Sequence, residues 1–365
     1  MRSPFVTRMK ILLLAFCIFS GGYSVAQQHK TENLIIVTLD GLRWQEIFGG
    51  IDSQIVVNKK FTRDSASIVF AFGDTDRNER RKKLFPFLWN NIAIRGQIFG
   101  DRLDGSEVNN ANKYKFSYPG YNEIFTGYPD TAVNSNDKII NRNTNVLEFI
   151  EKQPGYKGKI AVFTTWDVFP FILNKWRSGI YVNSDVDSLK FYDGPLKLIN
   201  EMQFLEAKPL DVRLDLLTYF AGREYFKIYK PKVLYIAFDE TDDFAHAGLY
   251  DQYLKSAHAE DAMINDLWNI VQSIPEYRNK TTLLVTCDHG RGDKIKEQWT
   301  DHGEDISDAG QIWIAAIGPD TKARGVVKTT EPLYQKQIAP TLAGLLGFHF
   351  IPDQGKAEPI KSIFY

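Results

Sequence analysis

Carboxylate and imidazole side chains follow short apolar runs at four places in the chain, in VTLDG, DETDDFAHAG, VTCDHG and WTDHG. These side chains are the ligands that zinc takes in catalytic sites, whereas a thiolate site would need more cysteines than the chain carries. The residues that could hold metal are Asp40, Asp242, His246, Asp288, His289 and His302. The set is large enough for two ions, so the sequence predicts a two-metal site.

A serine in KFSYPGYNEIFTG supplies the nucleophile that such a site would activate. Ser117 precedes Pro119 and Gly120, and the residues after them predict a turn that leads into a short helix. The amino terminus of a helix presents free backbone NH groups and a positive dipole to phosphate. Because the chain has no GxSxG motif, we expect metal to activate the serine in place of a histidine base.

Each motif also has an ordinary structural explanation. Acidic residues are common at helix starts, Asp-His-Gly is typical of a capped turn, and Ser117 could be a helix N-cap. Asp242 and His246, however, are four residues apart and would share one face of a helix. The convergence of several such motifs favours metal binding. His258, inside a long amphipathic pattern, is interpreted as structural.

The composition indicates a large folded domain with no preference for a charged partner. The chain has 365 residues, 44% of them hydrophobic and 13% aromatic, enough to bury a large core as one domain with insertions or as two lobes. The formal net charge is −1, so no electrostatic field favours nucleic acid or a membrane surface. The motifs above, rather than the charge, make a small-molecule substrate the expected partner, and the oligomeric state is left open.

The N-terminus predicts an export signal. Cations, an apolar stretch and a small-x-small cleavage site follow one another as Arg2, Arg8, Lys10, residues 11–20 and Ser24-Val25-Ala26. The apolar stretch is shorter than the span of about 20 residues that a membrane helix needs, although an uncleaved anchor is the alternative. We expect removal of residues 1–26 and a periplasmic or secreted protein. Cys287 would then be the last cysteine, so no intramolecular disulfide is expected.

Short apolar runs alternate with helical patterns along the chain. The strand candidates are residues 34–39, 160–164, 233–238, 283–287 and 312–317, and the helical patterns are residues 80–95, 145–152, 250–274 and 335–346. This alternation predicts an α/β fold with a mostly parallel central sheet and helices on both faces. Ligands bind beyond the carboxyl ends of the strands in such sheets, and Asp40, Asp242 and Asp288 lie there.

Two segments do not follow the alternation. Residues 49–79 and 167–230 are aromatic, contain Pro and Gly, and are irregular, apart from a helical pattern at 212–226. We interpret them as cap-like insertions over the site. The predicted organisation is thus a signal peptide at residues 1–26 and one metallohydrolase domain at residues 27–365.

The ordered set of motifs resembles the alkaline phosphatase superfamily, which includes phosphatases, phosphodiesterases, sulfatases and phosphoglycerate mutases. The similarity extends from VTLDG to the closing helix IAPTLAGLLG. It comprises a strand-ending Asp, a Ser or Thr before an aromatic-Pro pair, Asp-x-x-x-His, Asp-His-Gly and a final His-Gly, in that order. Each motif is weak alone, but the ordered set is a strong signal.

The resemblance implies two zinc ions and a serine nucleophile. The implied ligands are Asp242, His246 and His302 for the first zinc, and Asp40, Asp288 and His289 for the second. The implied chemistry is displacement at phosphorus by Ser117 through a phosphoseryl intermediate, followed by hydrolysis.

The branch of the superfamily follows from finer features. Tyr121 stands where sulfatases have an arginine, and the export signal disfavours a phosphoglycerate mutase. The extra charge of a phosphate monoester needs cationic donors, and Lys175 and Arg177 in NKWRSG resemble a Lys-x-Arg segment that contacts phosphate in one group of bacterial alkaline phosphatases. Asn134 and Asn136 are both candidates for another phosphate contact.

Two other functions compete with the monoesterase. A phosphodiesterase or nucleotide pyrophosphatase would need an apolar pocket, which Tyr118, Tyr121, Trp166, Phe169 and Phe171 could build, although such aromatics also suit a core. A metal-stabilised binding protein is disfavoured because it would have no need of the serine. We therefore expect an exported two-metal phosphohydrolase, with the monoesterase favoured.

Overall fold

A computed structural model describes residues 29–189, 194–208 and 210–364. The predicted signal peptide, residues 1–26, lies outside this range. The strands of the described chain are β1 Asn33–Leu39, β2 Gln97–Phe99, β3 Val108–Asn109, β4 Ile160–Thr164, β5 Tyr181–Ser184, β6 Val233–Phe238, β7 Thr281–Thr286, β8 Gln311–Ile312, β9 Ile314–Ile317, β10 Gly325–Val326 and β11 Leu333–Tyr334.

The central sheet has eight strands within the described residues, in the order β10-β2-β9-β7-β1-β6-β4-β5. All pairs are parallel except those of β9, which runs antiparallel to β2 and β7. A smaller sheet has the order β11-β3-β8. The predicted mostly parallel α/β sheet is therefore confirmed.

The α-helices surround this sheet and differ widely in length. They are α1 Trp44–Gly49, α2 Ser53–Val57, α3 Ser65–Phe72, α4 Arg77–Leu84, α5 Ala93–Arg95, α6 Ser117–Thr126, α7 Val146–Glu151, α8 Phe169–Ile172, α9 Lys175–Ser178, α10 Pro195–Leu205, α11 Asp215–Tyr229, α12 Glu240–His246, α13 Tyr250–Ser273 and α14 Ile338–Leu345. Among them, none combines the length and apolar character that a membrane crossing requires.

Helices pack on both faces of the sheet, as predicted. Adjacent residues of a strand point to opposite faces, and two such residues of β6 meet different helices. The ring of Tyr235 lies 4.8 Å from that of Phe125 in α6. Ile236 faces α11, where its Cδ1 lies 3.1 Å from the place that a β-carbon on Gly222 would occupy. The core strands β1, β4, β6 and β7 are buried along their whole length.

Two predicted elements are wrong in detail. The helical pattern at residues 80–95 is divided, because Pro86 lacks an NH and restricts the residue before it; α4 ends at Leu84 and a π-helix follows at Leu88–Ile92. The strand candidate 312–317 is broken at Trp313 into β8 and β9. Trp313 there donates its indole NH to the carbonyl of Leu42 over 3.0 Å.

The two irregular segments contain regular structure. Residues 49–79 include α2 and α3, whereas residues 167–230 contribute the edge strand β5 and the helix α11. The second segment therefore belongs in part to the sheet and to its covering layer. The interpretation of both segments as caps over the site stays a prediction.

Candidate active site

Three neighbouring strands end side by side at the carboxyl edge of the sheet. The strand β1 pairs with β6 on one side and β7 on the other, so the residues that follow these strands meet. Asp40 directly follows β1, Asp288 comes two residues after β7, and α12 with Asp242 and His246 follows β6. The topology thus gathers the predicted ligands at one place.

One group of ligands, here called the inner position, consists of Asp40, Asp288 and His289. Nε2 of His289 lies 3.3 Å from Oδ1 of Asp40 and 3.4 Å from Oδ2 of Asp288. These two carboxylate oxygens are buried and have no hydrogen-bond partner among the described residues. Their opposite oxygens accept hydrogen bonds, from the Tyr121 hydroxyl over 2.9 Å and from the Gly41 NH over 3.1 Å. Each carboxylate is therefore held by one oxygen and leaves the other free.

The second group, here called the outer position, consists of Asp242, His246 and His302. Nε2 of His246 lies 2.9 Å from Nε2 of His302 and 3.1 Å from Oδ2 of Asp242. Two atoms that each lie about 2.0–2.1 Å from one zinc ion are roughly 3.3 Å apart in a tetrahedron. The observed separations are close to this value. The side chain of His246 is 44% exposed, so this position faces solvent, unlike the inner one.

The two positions adjoin each other. Ligand atoms of Asp40, Asp288 and His289 lie within 4.8 Å of one another, and so do those of Asp242, His289 and His302. His289 therefore stands between the two groups. The carboxylate and imidazole donors, together with the unpartnered buried oxygens of the inner position, fit a divalent cation at each position.

The electrostatics agree with this interpretation. Burial raises the pKa of Asp40 and of Asp288, and the charges of neighbouring carboxylates raise these pKa values further. Burial also lowers the pKa of His302, with the charge of His289 as the next cause, and a neutral imidazole is the form that binds metal. The site therefore offers a neutral imidazole at His302 and crowded buried carboxylates, which a cation would stabilise.

Ser117 lies at the edge of the inner position. It is the first residue of α6, and its Oγ is 3.4 Å from Nε2 of His289. The next residue, Tyr118, donates its NH to Oδ1 of Asn136 over 3.0 Å. The structure thus brings the predicted nucleophile to the ligands and places Asn136 beside it. Pro119 has no NH and Gly120 donates its NH to the carbonyl of Phe116 over 3.0 Å. In the first turn of α6, the NH of Ser117 is therefore the one left for an anion.

Two glycines permit the close packing of this region. A β-carbon on Gly120, one turn after Ser117, would lie only 2.5 Å from the carbonyl oxygen of Asp288. Gly41 has a positive φ of 58°, and a β-carbon there would lie 2.5 Å from Oδ1 of Asp242. Both positions therefore require glycine, and α6 approaches the end of β7 through its backbone.

Glu123 fixes the loop that precedes the nucleophile. This buried residue of α6 accepts hydrogen bonds from the NH groups of Ala111, Asn112 and Lys336 over 2.8–3.0 Å. The same side chain accepts a further bond from the Asn112 side-chain amide. One carboxylate thereby joins α6 to two separate chain segments.

Sequence reasoning missed a buried cation at the outer position. The guanidinium of Arg291 donates to Oδ1 and to the carbonyl oxygen of Asp242, and to the carbonyl oxygen of Thr300 over 2.6 Å. Thr300 lies two residues before His302. The sequence places Arg291 directly after Asp-His-Gly, which could have indicated a residue of the site. Its contact with Asp242 was not predictable, because Asp242 is far away in the chain. The hydrogen bond from Tyr121 to Asp40 was missed for the same reason.

Lys175 and Arg177 contact residues outside the candidate metal site. Arg177 donates to the carboxylate of Glu148 over 2.8–3.2 Å and to two backbone carbonyls. Lys175 lies 3.8 Å from Oδ2 of Asp187. Within the described chain, no hydrogen bond or ion pair joins either cation to Ser117 or to the metal ligands. Their role as phosphate contacts stays a prediction.

Comparison with known proteins identifies the fold. No protein-family model matches the chain, and no curated protein matches it. Solved structures do: the alkaline phosphatase PafA superposes with a TM-score of 0.62 over 92% of this chain and 99% of its own, at 9% identity. The chain has the alkaline phosphatase superfamily fold. The resemblance inferred from the ordered motifs is thus confirmed at the level of structure.

Other structures with the alkaline phosphatase superfamily fold are also similar. The lipoteichoic acid synthase LtaP from Listeria monocytogenes has a TM-score of 0.56 at 12% identity, over 92% of this chain and 76% of its own. A putative sulfatase from Bacteroides thetaiotaomicron has a TM-score of 0.59 at 13% identity, over 92% of this chain and 74% of its own. Proteins with three different names therefore share this architecture.

Proposed function

We propose that the protein is a metal-dependent phosphohydrolase with Ser117 as its nucleophile. The observation that carries the proposal is the approach of the Ser117 hydroxyl to His289 of the inner position, at 3.4 Å. An isolated binding site would have no need of a serine at the start of a helix beside the metal ligands. The fold shared with the alkaline phosphatase PafA supports the same reaction class.

Two zinc ions at the inner and outer positions would lower the pKa of the serine hydroxyl and offset the charge on the phosphoryl group. Oγ of Ser117 forms a bond to phosphorus while the bond between phosphorus and the ester oxygen breaks, and the alcohol leaves. Water then cleaves the phosphoserine and releases phosphate. The backbone NH of Ser117 and the side-chain amide NH₂ of Asn136, whose Oδ1 accepts from the NH of Tyr118, donate to the phosphate oxygens.

A phosphate monoester is the substrate that we propose first. It carries more negative charge than a diester and gains more from nearby cations. Lys175 is partly exposed, at 31% of its side chain, and its ion pair with Asp187 is long, at 3.8 Å. Its ammonium group is therefore not fixed by a short ion pair, and Lys175 is the cation that we propose for the phosphate contact.

A phosphodiesterase is the second candidate, because a cavity adjoins the nucleophile. This cavity of about 220 Å³ is lined in part by Tyr118, Val133, Ile139 and Ile140, and Tyr118 directly follows Ser117. It could receive the second ester group of a diester. A sulfatase is less favoured despite the shared fold, because Tyr121 stands where sulfatases have an arginine and is bound to Asp40.

The test compares three substrates in the purified protein and in Ser117→Ala. Hydrolysis of p-nitrophenyl phosphate, bis-p-nitrophenyl phosphate and p-nitrophenyl sulfate is measured with zinc and after chelation. We expect chelator-sensitive hydrolysis, fastest for the monoester, and a loss of about 10³-fold or more in Ser117→Ala at unchanged zinc content. Unchanged turnover in Ser117→Ala would overturn the proposal. Faster hydrolysis of the diester would select the second candidate.

We also propose that the protein acts outside the cytoplasm. The support is the N-terminal sequence of cations, apolar stretch and Ser24-Val25-Ala26. Fractionation of expressing bacteria, with N-terminal sequencing of the product, should find a chain that begins at Gln27 in the periplasm or medium. An intact N-terminus in the cytoplasm would contradict this proposal.

A further inference from the structure

The inner and outer positions differ in charge. The inner position has two carboxylates, Asp40 and Asp288, and one imidazole, all buried. The outer position has two imidazoles and the single carboxylate of Asp242. Since attraction between a divalent cation and its ligands grows with their negative charge, the inner position is the stronger cation site before any other group is considered.

Arg291 increases this difference. Its guanidinium is buried and donates to Oδ1 of Asp242, the only carboxylate of the outer position. Three carbonyl or carboxylate oxygens, from Asp242 and Thr300, hold it there. Its Nε also lies 3.0 Å from the place of a β-carbon on Gly41, next to Asp40. The guanidinium is therefore fixed beside Asp242 by its hydrogen bonds.

Charge and geometry predict opposite effects of Arg291 on metal affinity. By orienting Asp242, the arginine helps binding, an effect that for outer-shell partners amounts to roughly 10–100-fold. By placing a positive charge beside a divalent cation, it opposes binding, and the repulsion is twice that between two unit charges at the same distance. The repulsion of a doubly charged ion exceeds the orienting effect.

The neighbouring acids do not cancel this asymmetry. Asp239 and Asp243 are the other carboxylates close to Asp242, and Asp239 is close to Asp40 as well. They add negative charge on both sides of His289. The charge of Arg291 reaches Asp40 as well, but the arginine is hydrogen-bonded to Asp242, where its charge is the strongest neighbouring charge.

We propose that the two positions bind zinc with unequal affinity, the inner one first, and that the positive charge of Arg291 sets the weaker affinity of the outer position. This inference rests on the metal positions of the proposed function but not on its reaction. An ion at the outer position would receive less negative charge from its ligands, because Arg291 offsets the charge of Asp242.

The test is a zinc titration of the metal-free protein in competition with a chromophoric chelator. We expect two phases whose dissociation constants differ by about 100-fold or more. His246→Ala should remove the weaker phase and Asp288→Asn the tighter one, which assigns each phase to its position. Arg291→Gln should tighten the weaker phase by at least about tenfold.

Two further variants separate charge from structure. Arg291→Lys keeps the positive charge and loses the planar fork. The zinc dissociation constant of its weaker phase should therefore stay within about threefold of that of the original protein. Arg213→Gln is the matched control, since Arg213 is equally buried but bonds to Thr218, Asn183 and the carbonyl of Thr164. It should lower the melting temperature and leave both zinc phases unchanged.

Several results would overturn the inference. The first is equal zinc affinity at the two positions, and the second is a weaker zinc affinity of the outer position in Arg291→Gln. The third is an increase in zinc affinity at the outer position in Arg291→Lys as large as that in Arg291→Gln. The lysine comparison decides the point even where Arg291→Gln does not fold. Zinc binding is measured without substrate. A negative outcome of the Ser117→Ala phosphatase experiment would therefore leave the inference about zinc affinity standing, and equal zinc affinities would leave the proposed phosphohydrolase activity standing.

Discussion

Oγ of Ser117 lies 3.4 Å from Nε2 of His289, although 172 residues separate the two in the chain. The serine comes from the start of α6 and the histidine from the end of β7. The contact arises because α6 approaches the sheet edge at Gly120. It places the proposed nucleophile at the histidine that stands between the two candidate metal positions.

A hydroxyl at position 117 should be sufficient for turnover. Ser117→Thr keeps the hydroxyl, whereas Ser117→Val has nearly the same shape without it. We expect Thr to retain hydrolysis of p-nitrophenyl phosphate and Val to lose about 10³-fold or more, measured as kcat at saturating zinc. Equal rates in the two variants would contradict the role of Ser117 as nucleophile.

Tyr121→Phe should weaken the inner position without unfolding the protein. The ring keeps its packing against Phe169, whose centroid is 4.6 Å away, but the hydrogen bond to Asp40 is lost. Zinc affinity or activity should fall roughly 10–100-fold, as read by zinc content and kcat. Tyr235→Phe, which loses a buried hydrogen bond to Thr38, is the control and should leave zinc content unchanged.

Glu123→Gln should destabilise the protein by about 1–3 kcal/mol, because an amide cannot accept all the NH groups that this carboxylate accepts. Urea unfolding measures the change. Glu151→Gln is the comparison, since Glu151 accepts from the Gly158 NH near the surface, and it should cost less. A stability loss no greater than that of Glu151→Gln would argue against the anchoring role of Glu123.

Asp261 should make stability depend on pH. Burial raises its pKa to about 7, although the NH groups of Phe87 and Leu88 donate to it and lower the pKa in part. Because the folded-state pKa lies above the unfolded-state value of about 3.9, the folded protein binds more protons between these values. The free energy of unfolding should therefore fall as the pH rises from about 4 to about 7.

The check on Asp261 is urea unfolding across this pH range. Asn at position 261 does not titrate. As the pH rises, the free energy of unfolding of the original protein should therefore fall relative to that of Asp261→Asn, by a few kcal/mol at most. A difference that is constant with pH would show that Asp261 keeps its ordinary pKa in the folded protein.

Zinc should stabilise the folded protein against heat. The buried carboxylates of the inner position repel one another, and an ion that binds the folded state alone adds about 2.7 kcal/mol at a concentration of 100 Kd. In a chain of this length, we expect the melting temperature to rise by roughly 3–5 °C for each bound ion. Calorimetry with zinc and with chelator measures this, and Asp288→Asn should reduce the shift.

The sequence was sufficient for the parts of the site that local pattern determines. Asp40 and Asp288 each follow a continuous apolar run, so their places at strand ends were predictable, as was the shared helix face of Asp242 and His246. The contact of Arg291 with Asp242 was not, because it joins segments whose separation in space depends on the whole sheet.

Elements of the fold escaped prediction for related reasons. The strand β5 is short and lies at the sheet edge, where its pattern resembles that of a loop. The direction of β9 depends on its partners β2 and β7, which no local signal specifies. Pro86 could be expected to interrupt the helical pattern at residues 80–95. The π-helix that follows it at Leu88–Ile92 was not predictable from the sequence.

Gly120 has a practical consequence for engineering. The nearest approach of α6 to the sheet is a contact between two stretches of main chain, so the gap between serine and ligands is not adjustable by exchanging side chains. Libraries that seek new substrates should leave residues 117–120 and Asn136 unchanged and vary the cavity wall at residues 132–135 and 137–140 instead. Changing the reach of the nucleophile itself would require inserting or deleting residues before α6.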